Sequence, residues 1–366
     1  RSISNVCYML TNTYCSPGYG PSFLLKVIHK AHYDYGNNDI QFYVYSIGGF
    51  SRDINNEYRK CLESSNITIR EFSSTMNHDN YLNIRKYAEK DDIDLAIMNM
   101  NFSTQTFLFS SQIAPYQIYL NHGFSAFSPS NIDHHIWFDG ELMPQYLFDY
   151  IKNNKYEITK IDYWKYYDIN IGKLNSELKN KRQKELLKYP KSKIILGNMQ
   201  SLERITEEFL DIVIEILKSS KDTIFLCCGS GDMSLIRLYI EKYALEDRLF
   251  APGFVEPHLY GHIIDIFMNT PVSSALSILD SLTKGKIIIS IPKDRVEPIS
   301  IEKIGLIVNS SQEYINLALK LINDKGFYNI SRQTVNNNFI NYLNSRSGVQ
   351  EFEQLINNLS TKDSQF

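Results

Sequence analysis

Short apolar runs recur along this chain at residues 6–10, 40–45, 67–69, 95–98, 117–120, 193–197, 223–228, 249–251, 263–268 and 287–289. Between them lie stretches whose apolar positions return every three or four residues, as on one face of a helix: from Pro21 onward, then 55–62, 81–90, 204–217, 274–284, 312–321, 335–343 and 349–359. Short apolar runs bounded by turn residues read as buried strands, and the slower period reads as amphipathic helix. Strand and helix alternate along the chain. That alternation predicts parallel α/β sheets.

The densest part of the pattern is 249–290, which reads strand, loop, strand, helix, strand, with the helix over 274–284 stopped by Gly285. In an open parallel sheet, ligands sit outside the carboxyl ends of the strands, where helix N-termini offer backbone N–H groups to anions. The turn 269–274 lies at such an end. Asp280 falls about one and a half turns into the helix behind it, where a carboxylate can take a ribose diol as a two-oxygen acceptor. A sugar nucleotide fits this arrangement.

Composition narrows the partners. The chain has 366 residues, 43% hydrophobic and 22% charged, enough for two domains each with a core. A net charge of −3 gives no basic footprint for nucleic acid. Five cysteines, with Cys227 and Cys228 adjacent in an apolar run, make a disulfide framework unexpected and fit a reducing cytoplasm. No apolar run reaches the roughly 20 residues that span a bilayer, so no transmembrane segment is expected, and no secretory leader is read at the front. The sequence opens on Arg1 rather than methionine, which leaves room for residues ahead of it.

A family resemblance rests on Pro252-Gly253-Phe254 before a strand, Pro257-His258-x-Tyr260, the run Asp265-Ile266-Phe267-Met268-Asn269-Thr270-Pro271, then Asp280 and Gly285-Lys286. In this order they resemble the nucleotide-sugar half of a GT-B glycosyltransferase, in particular the O-GlcNAc transferases and the bacterial cytoplasmic N-glucosyltransferases that modify adhesins. Upstream, residues 198–206 resemble the strand-to-helix segment where that family holds a lysine against the diphosphate, and Arg204 occupies that place. Asn121-His122-Gly123 followed by Ile132-Asp133-His134 resembles a Gly-His-Pro…Ile-Asp-Tyr segment, with His122 in the histidine's place.

The resemblance implies two Rossmann-like α/β domains facing across a cleft. The expected divisions are an acceptor-side domain over 1–165, a connection over 166–192, a nucleotide-sugar domain over 193–345, and a terminal helix, 346–366, returning towards the first domain. It implies transfer of a hexose or N-acetylhexosamine from a UDP-sugar to a protein side chain, with no cofactor and no metal. His122 and Arg204 are the expected catalytic residues. Arg204, Gly253, His258, Tyr260, Ser273, Ser274, Ser277 and Asp280 are the expected nucleotide-sugar contacts. Ser273 stands where many retaining GT-B enzymes carry a glutamate, which favours inversion.

Other readings stand beside these. Arg204 can pair with Glu208 one turn on, Asp280 can be a solvated helix carboxylate, His122 can satisfy a loop carbonyl, and the serines can cap a helix. His258 and His262 have the spacing of a zinc pair, but Leu259 stands where a hydrolytic glutamate would be, and Pro257 and Gly261 argue against a helix there. Asp92-x-Asp94 precedes its strand, which suits a solvated strand entry rather than a metal site. Neighbouring His134 and His135 point to opposite faces of a strand and cannot share a metal. Gly20 and Phe127 stand where family members carry histidines, and Leu276 where a polar diphosphate contact is usual. These departures leave open a catalytically inactive subunit that binds acceptor or partner, or a transferase with a saccharide acceptor. No tetratricopeptide repeat is present, so a protein acceptor is expected to meet another surface, a partner subunit or a further part of the protein.

Overall fold

The computed structural model describes residues 3–11, 40–48, 67–75, 77–99, 102–121, 131–138, 149–150, 152–154, 157–161, 173–271, 275–291, 301–344 and 349–362. The helices expected after Pro21 and over 55–62 lie outside these residues. The chain divides into two compact units, Arg1–Tyr166 with Arg346–Phe366, and Tyr167–Ser345.

In the first unit, seven strands form one sheet in the order β3-β2-β1-β4-β5-β6-β7, every pairing parallel. They are β1 (Asn5–Thr11), β2 (Gln41–Ile47), β3 (Thr68–Phe72), β4 (Leu95–Asn99), β5 (Tyr116–Asn121), β6 (His134–Phe138) and β7 (Glu157–Ile161). Helices α1 (His78–Lys90) and α2 (Phe102–Ser110) connect strands on the way. Asp94 explains the Asp-x-Asp spacing structurally. Its Oδ2 accepts from the backbone N–H groups of Ser4 and Asn5, each at 2.9 Å, fastening the entry of β1 to that of β4. His134 and His135 part as the strand requires: the His134 Nε2 lies 2.8 Å from the Thr159 hydroxyl, while the His135 ring packs edge-on against Tyr119. Burial, with the neighbouring His134 adding to it, pulls His135 down to about 4.

The strand β7 falls in a stretch that reads as polar and aperiodic. It is an edge strand of five residues, Glu-Ile-Thr-Lys-Ile, in which two isoleucines among three polar residues give a weak signal. The last described helix, Val349–Lys362, packs on it within the same unit.

The second unit carries a six-stranded sheet, order β10-β9-β8-β11-β12-β13, again all parallel. Its strands are β8 (Ile194–Met199), β9 (Thr223–Cys228), β10 (Leu249–Gly253), β11 (Ile266–Met268), β12 (Ile287–Ser290) and β13 (Leu306–Ile307). The helices, continuing the numbering, are α3 (Ser176–Leu186), α4 (Glu207–Ser219), α5 (Ser234–Tyr243), α6 (Pro257–Ile263), α7 (Ala275–Thr283), α8 (Ser311–Asn323) and α9 (Lys325–Asn344), with α10 being Val349–Lys362. The core packs α4 and α8 against β8, β9, β11 and β12, through residues such as Phe209, Val213, Phe225, Ile266, Ile289 and Tyr314.

Several boundaries move for identifiable reasons. Helix α4 starts at Glu207, not Arg204, because the Thr206 hydroxyl accepts from the Phe209 N–H at 3.3 Å and caps it. Residues Leu202–Arg204 form a separate 3-10 turn. Helix α6 forms despite Pro257, which sits at its first turn where the missing N–H costs no hydrogen bond. The apolar run 263–268 splits into the end of α6 and strand β11, with the Asp265 carboxylate accepting from the Ile195 N–H at 3.0 Å in between. Helix α3 lies inside the expected connection 166–192; of its eleven residues only Leu178 is buried, so it carries no apolar stripe to read. Residues Glu302–Ile304 form a further 3-10 turn, and β13 follows it.

Candidate functional site

Numbered within the second unit, its strands run 3-2-1-4-5-6, the doubly wound order in which the succession of strands across the sheet reverses between the first and the fourth. The reversal lies between β8 and β11, and in sheets of this order the ligand crevice lies outside the carboxyl ends of the two strands at that point. Two residues close its floor. The Thr270 hydroxyl, just past β11, donates to the Gln200 side-chain oxygen, just past β8, at 3.0 Å. The Gln200 N–H in turn donates to the Cys228 carbonyl at 2.9 Å, while its side-chain Nε2 is buried with no hydrogen-bond partner.

The glycine after β9 is required by that floor. A Cβ on Gly229 would stand 1.6 Å from the Gln200 carbonyl oxygen. Gly229 also donates its N–H to the Gly253 carbonyl at 2.8 Å. Gly253 itself has φ +80, and a Cβ there would meet nothing within 4 Å, so backbone conformation rather than crowding calls for glycine.

Beside Thr270, Asn269 is fully buried and donates to Glu302 Oε1 at 2.8 Å and to the Ser290 hydroxyl at 3.2 Å. The Tyr314 hydroxyl is shared between the carbonyls of Asn269 and Ile289 at 3.1 and 2.9 Å. These bonds lock the carboxyl ends of β11 and β12 together behind the crevice.

The expected contact residues separate into distinct surroundings. His122, Ser273 and Ser274 lie outside the described residues. Arg204 ends the 3-10 turn after β8, half-buried, two residues before the Thr206 cap of α4. Ser277, in the first turn of α7, donates its hydroxyl to the Met199 carbonyl, tying that helix to the end of β8. Asp280 is almost buried. Its Oδ1 lies 3.2 Å from His258 Nδ1 and 3.4 Å from Lys284 Nζ. The His258 contact is close in distance but off-line, and Nδ1 has no hydrogen-bond partner. Tyr260, also buried, donates to Glu185 Oε1 at 2.6 Å and lies 2.8 Å from the Tyr189 hydroxyl. Burial first, then these partners, push its phenol well above the ordinary tyrosine range. Among the described residues no group of three His, Cys, Asp or Glu side chains converges as a metal site.

Solved structures share this architecture along the chain's length. An O-GlcNAc transferase variant of Thermobaculum terrenum matches with a TM-score of 0.71 at 15% identity, over 100% of this chain and 69% of that one. Anabaena HepE, solved with UDP and glucose, matches with a TM-score of 0.61 at 15% identity, over 98% and 100%. A glycosyltransferase of Rickettsia africae matches with a TM-score of 0.60 at 17% identity, over 96% and 97%. The fold is GT-B. No protein-family model matches the sequence, and no curated protein does.

Within the GT-B fold, Gln200 joins the candidate site by position beside Asn269 and Thr270 of the turn expected there, and nothing in the linear sequence pairs Gln200 with Thr270. The signal that could have found them is topological: they follow the strands that flank the reversal, and strand order is invisible in a linear pattern. Lys284 is equally inconspicuous, since a lysine at a helix C-terminus looks solvated. Here its side chain is 2% exposed. Among the described residues no helix is long and apolar enough to cross a membrane.

Proposed function

We propose that this chain is an inverting, metal-independent glycosyltransferase that moves a hexose or N-acetylhexosamine from a UDP-sugar to a protein side chain in the cytoplasm. The observation that supports the reading is the strand-order reversal between β8 and β11, past which Gln200 and Thr270 meet, with the turn ending at Arg204 following β8 and α7, which carries Asp280, tied to β8 through Ser277. Nucleotides are among the ligands that open α/β sheets take at such a switch point. HepE, with the same fold, was solved with UDP and glucose.

In this reading Asp280 accepts from the ribose diol, and the Gln200 amide, whose buried Nε2 lacks a partner among the described residues, donates to the ligand. His258, half-exposed beside Asp280, faces the nucleotide. Gly253 lets the chain pass close to it. Ser273 and Ser274, ahead of α7, offer hydroxyls and N–H groups to the diphosphate, supported by the positive end of the helix. Ser277 and Tyr260 support the frame through Met199 and Glu185.

The reaction is a single displacement. The acceptor atom gives up its proton to a base or to solvent and attacks the anomeric carbon as the bond from that carbon to the diphosphate oxygen breaks, and UDP leaves with the negative charge. A guanidinium at Arg204 stays ionised and can hold two phosphate oxygens, so it stabilises that growing charge more than the bound donor. His122 is assigned to catalysis with it, on the resemblance of its segment. A thermal-shift titration tests the donor half: UDP in the presence of a chelator should raise the melting temperature by mass action. A shift that appears only when a divalent metal is added overturns the metal-independent reading, and no shift at all overturns the nucleotide reading.

A further inference from the structure

Lys284 follows the last residue of α7 and turns its side chain inward, leaving 2% of it exposed. Lysines are almost never that buried unless paired. The Nζ donates to the Thr283 hydroxyl at 3.0 Å and lies 3.4 Å from Asp280 Oδ1, one turn back on the same helix. Acid before base at this spacing is the favourable orientation, and a cation at a helix C-terminus is favourable too. Both gains are available to an exposed lysine, so neither explains the burial. The lysine stem runs over Gly261 of α6, where a Cβ would meet Lys284 Cδ at 3.5 Å, and His258 of the same helix stands 3.2 Å from the same carboxylate oxygen. Asp280 Oδ1 is therefore bonded by Lys284 and approached, without a hydrogen bond, by His258 of the neighbouring helix.

We propose that Lys284 is a positioning residue for the nucleotide's ribose, acting through Asp280: its ammonium holds Oδ1 and keeps the carboxylate a charged acceptor in one orientation. The inference rests on the reading of Asp280 as the ribose contact. A buried carboxylate stripped of its cation is left uncompensated, and it neutralises or turns to recover partners. Either change weakens a diol contact while leaving the rest of the nucleotide's contacts in place. Burial pulls the Lys284 ammonium below the ordinary lysine range and the Asp280 charge opposes that pull, as expected for two groups that depend on each other.

The test is calorimetric binding of UDP and of a UDP analogue lacking both ribose hydroxyls to the full chain. Wild type should prefer UDP by about tenfold or more, the scale of one hydrogen bond to a charged group. Lys284→Met should bring that preference to within about twofold, as Asp280→Asn does, with analogue affinity little changed. Lys284→Gln, milder in shape and still uncharged, reads the same ratio if the methionine variant unfolds. Lys284→Arg, which returns the charge, should recover most of the preference. A lysine with only a structural role lowers both affinities together, so neutral variants that keep the wild-type ratio overturn the inference. If Asp280→Asn loses the preference and Lys284→Met keeps it, only this inference falls. If wild type binds both ligands equally, the ribose reading of Asp280 falls and this inference with it.

Discussion

Thr270 and Gln200 stand 70 positions apart in sequence and meet at 3.0 Å, hydroxyl to side-chain oxygen, across the point where the second sheet reverses. Because Thr270 fixes the oxygen of the amide, it also fixes where Nε2 points. Thr270→Val should therefore lower UDP affinity through Gln200, by roughly 2- to 10-fold on the net worth of one neutral hydrogen bond. Gln200→Ala should cost at least as much, and the double variant no more than Gln200→Ala alone, because the two act as a unit. Calorimetry on the four proteins measures this. Fully additive losses would show that the pair does not act through one amide.

The Gly229 position gives a prediction about stability. A methyl group there meets the Gln200 carbonyl at 1.6 Å, and that carbonyl belongs to the crevice floor, so either β8 or the turn after β9 must shift. Gly229→Ala should destabilise the chain by about 3 kcal/mol or more, in the class of substitutions that break a special backbone site. Urea denaturation followed by circular dichroism reads it. A loss under about 1 kcal/mol would mean that the turn relaxes freely.

How far the sequence carried the account depends on whether a feature is local. Helix α4 was legible because Phe209, Ile212 and Ile216 repeat on one face, and its start was displaced only by the Thr206 cap. The buried strands β9 and β12 were legible as unbroken apolar runs. Strand β7 was not, since an edge strand of five residues with Glu157 and Lys160 in it carries little pattern. In the sequence, spacing and resemblance single out Asp280 as a candidate. His258 was not legible as a neighbour of that carboxylate, because their meeting depends on how α6 packs on α7, and the four-residue spacing of Asp280 and Lys284 permits their pair without announcing that the lysine is buried. Tyr260 was expected at the nucleotide, and its hydroxyl is engaged with Glu185 of α3, a helix the sequence did not announce.

Lys286 carries a pH dependence. Burial first, then the nearby Arg182 and Arg332 against the opposing pull of Asp265, lowers its ammonium from 10.5 to about 8. Between those two values the unfolded chain binds more protons at this site than the folded one, so this group's contribution makes stability rise with pH across that window. Wild type should gain stability relative to Lys286→Met as pH climbs from about 8 towards 10.5. Paired melting curves across the window check it. A difference that stays flat or falls would mean that the lysine is not held in its buried position.

The central claim is that this crevice breaks the bond between a sugar and UDP. It is tested most directly by single-turnover release of UDP from radiolabelled UDP-glucose and UDP-N-acetylglucosamine, with a chelator present and with candidate acceptor proteins added. Wild type should release UDP from at least one donor and label an acceptor, and Arg204→Ala should slow that step by about 100-fold or more while weakening donor binding less. Arg204→Lys should recover part of the rate, since the charge returns without the two-pronged geometry. Equal rates for wild type and Arg204→Ala would remove Arg204 from the chemistry. Wild type that binds UDP tightly yet leaves both donors intact with every acceptor would contradict the transferase account.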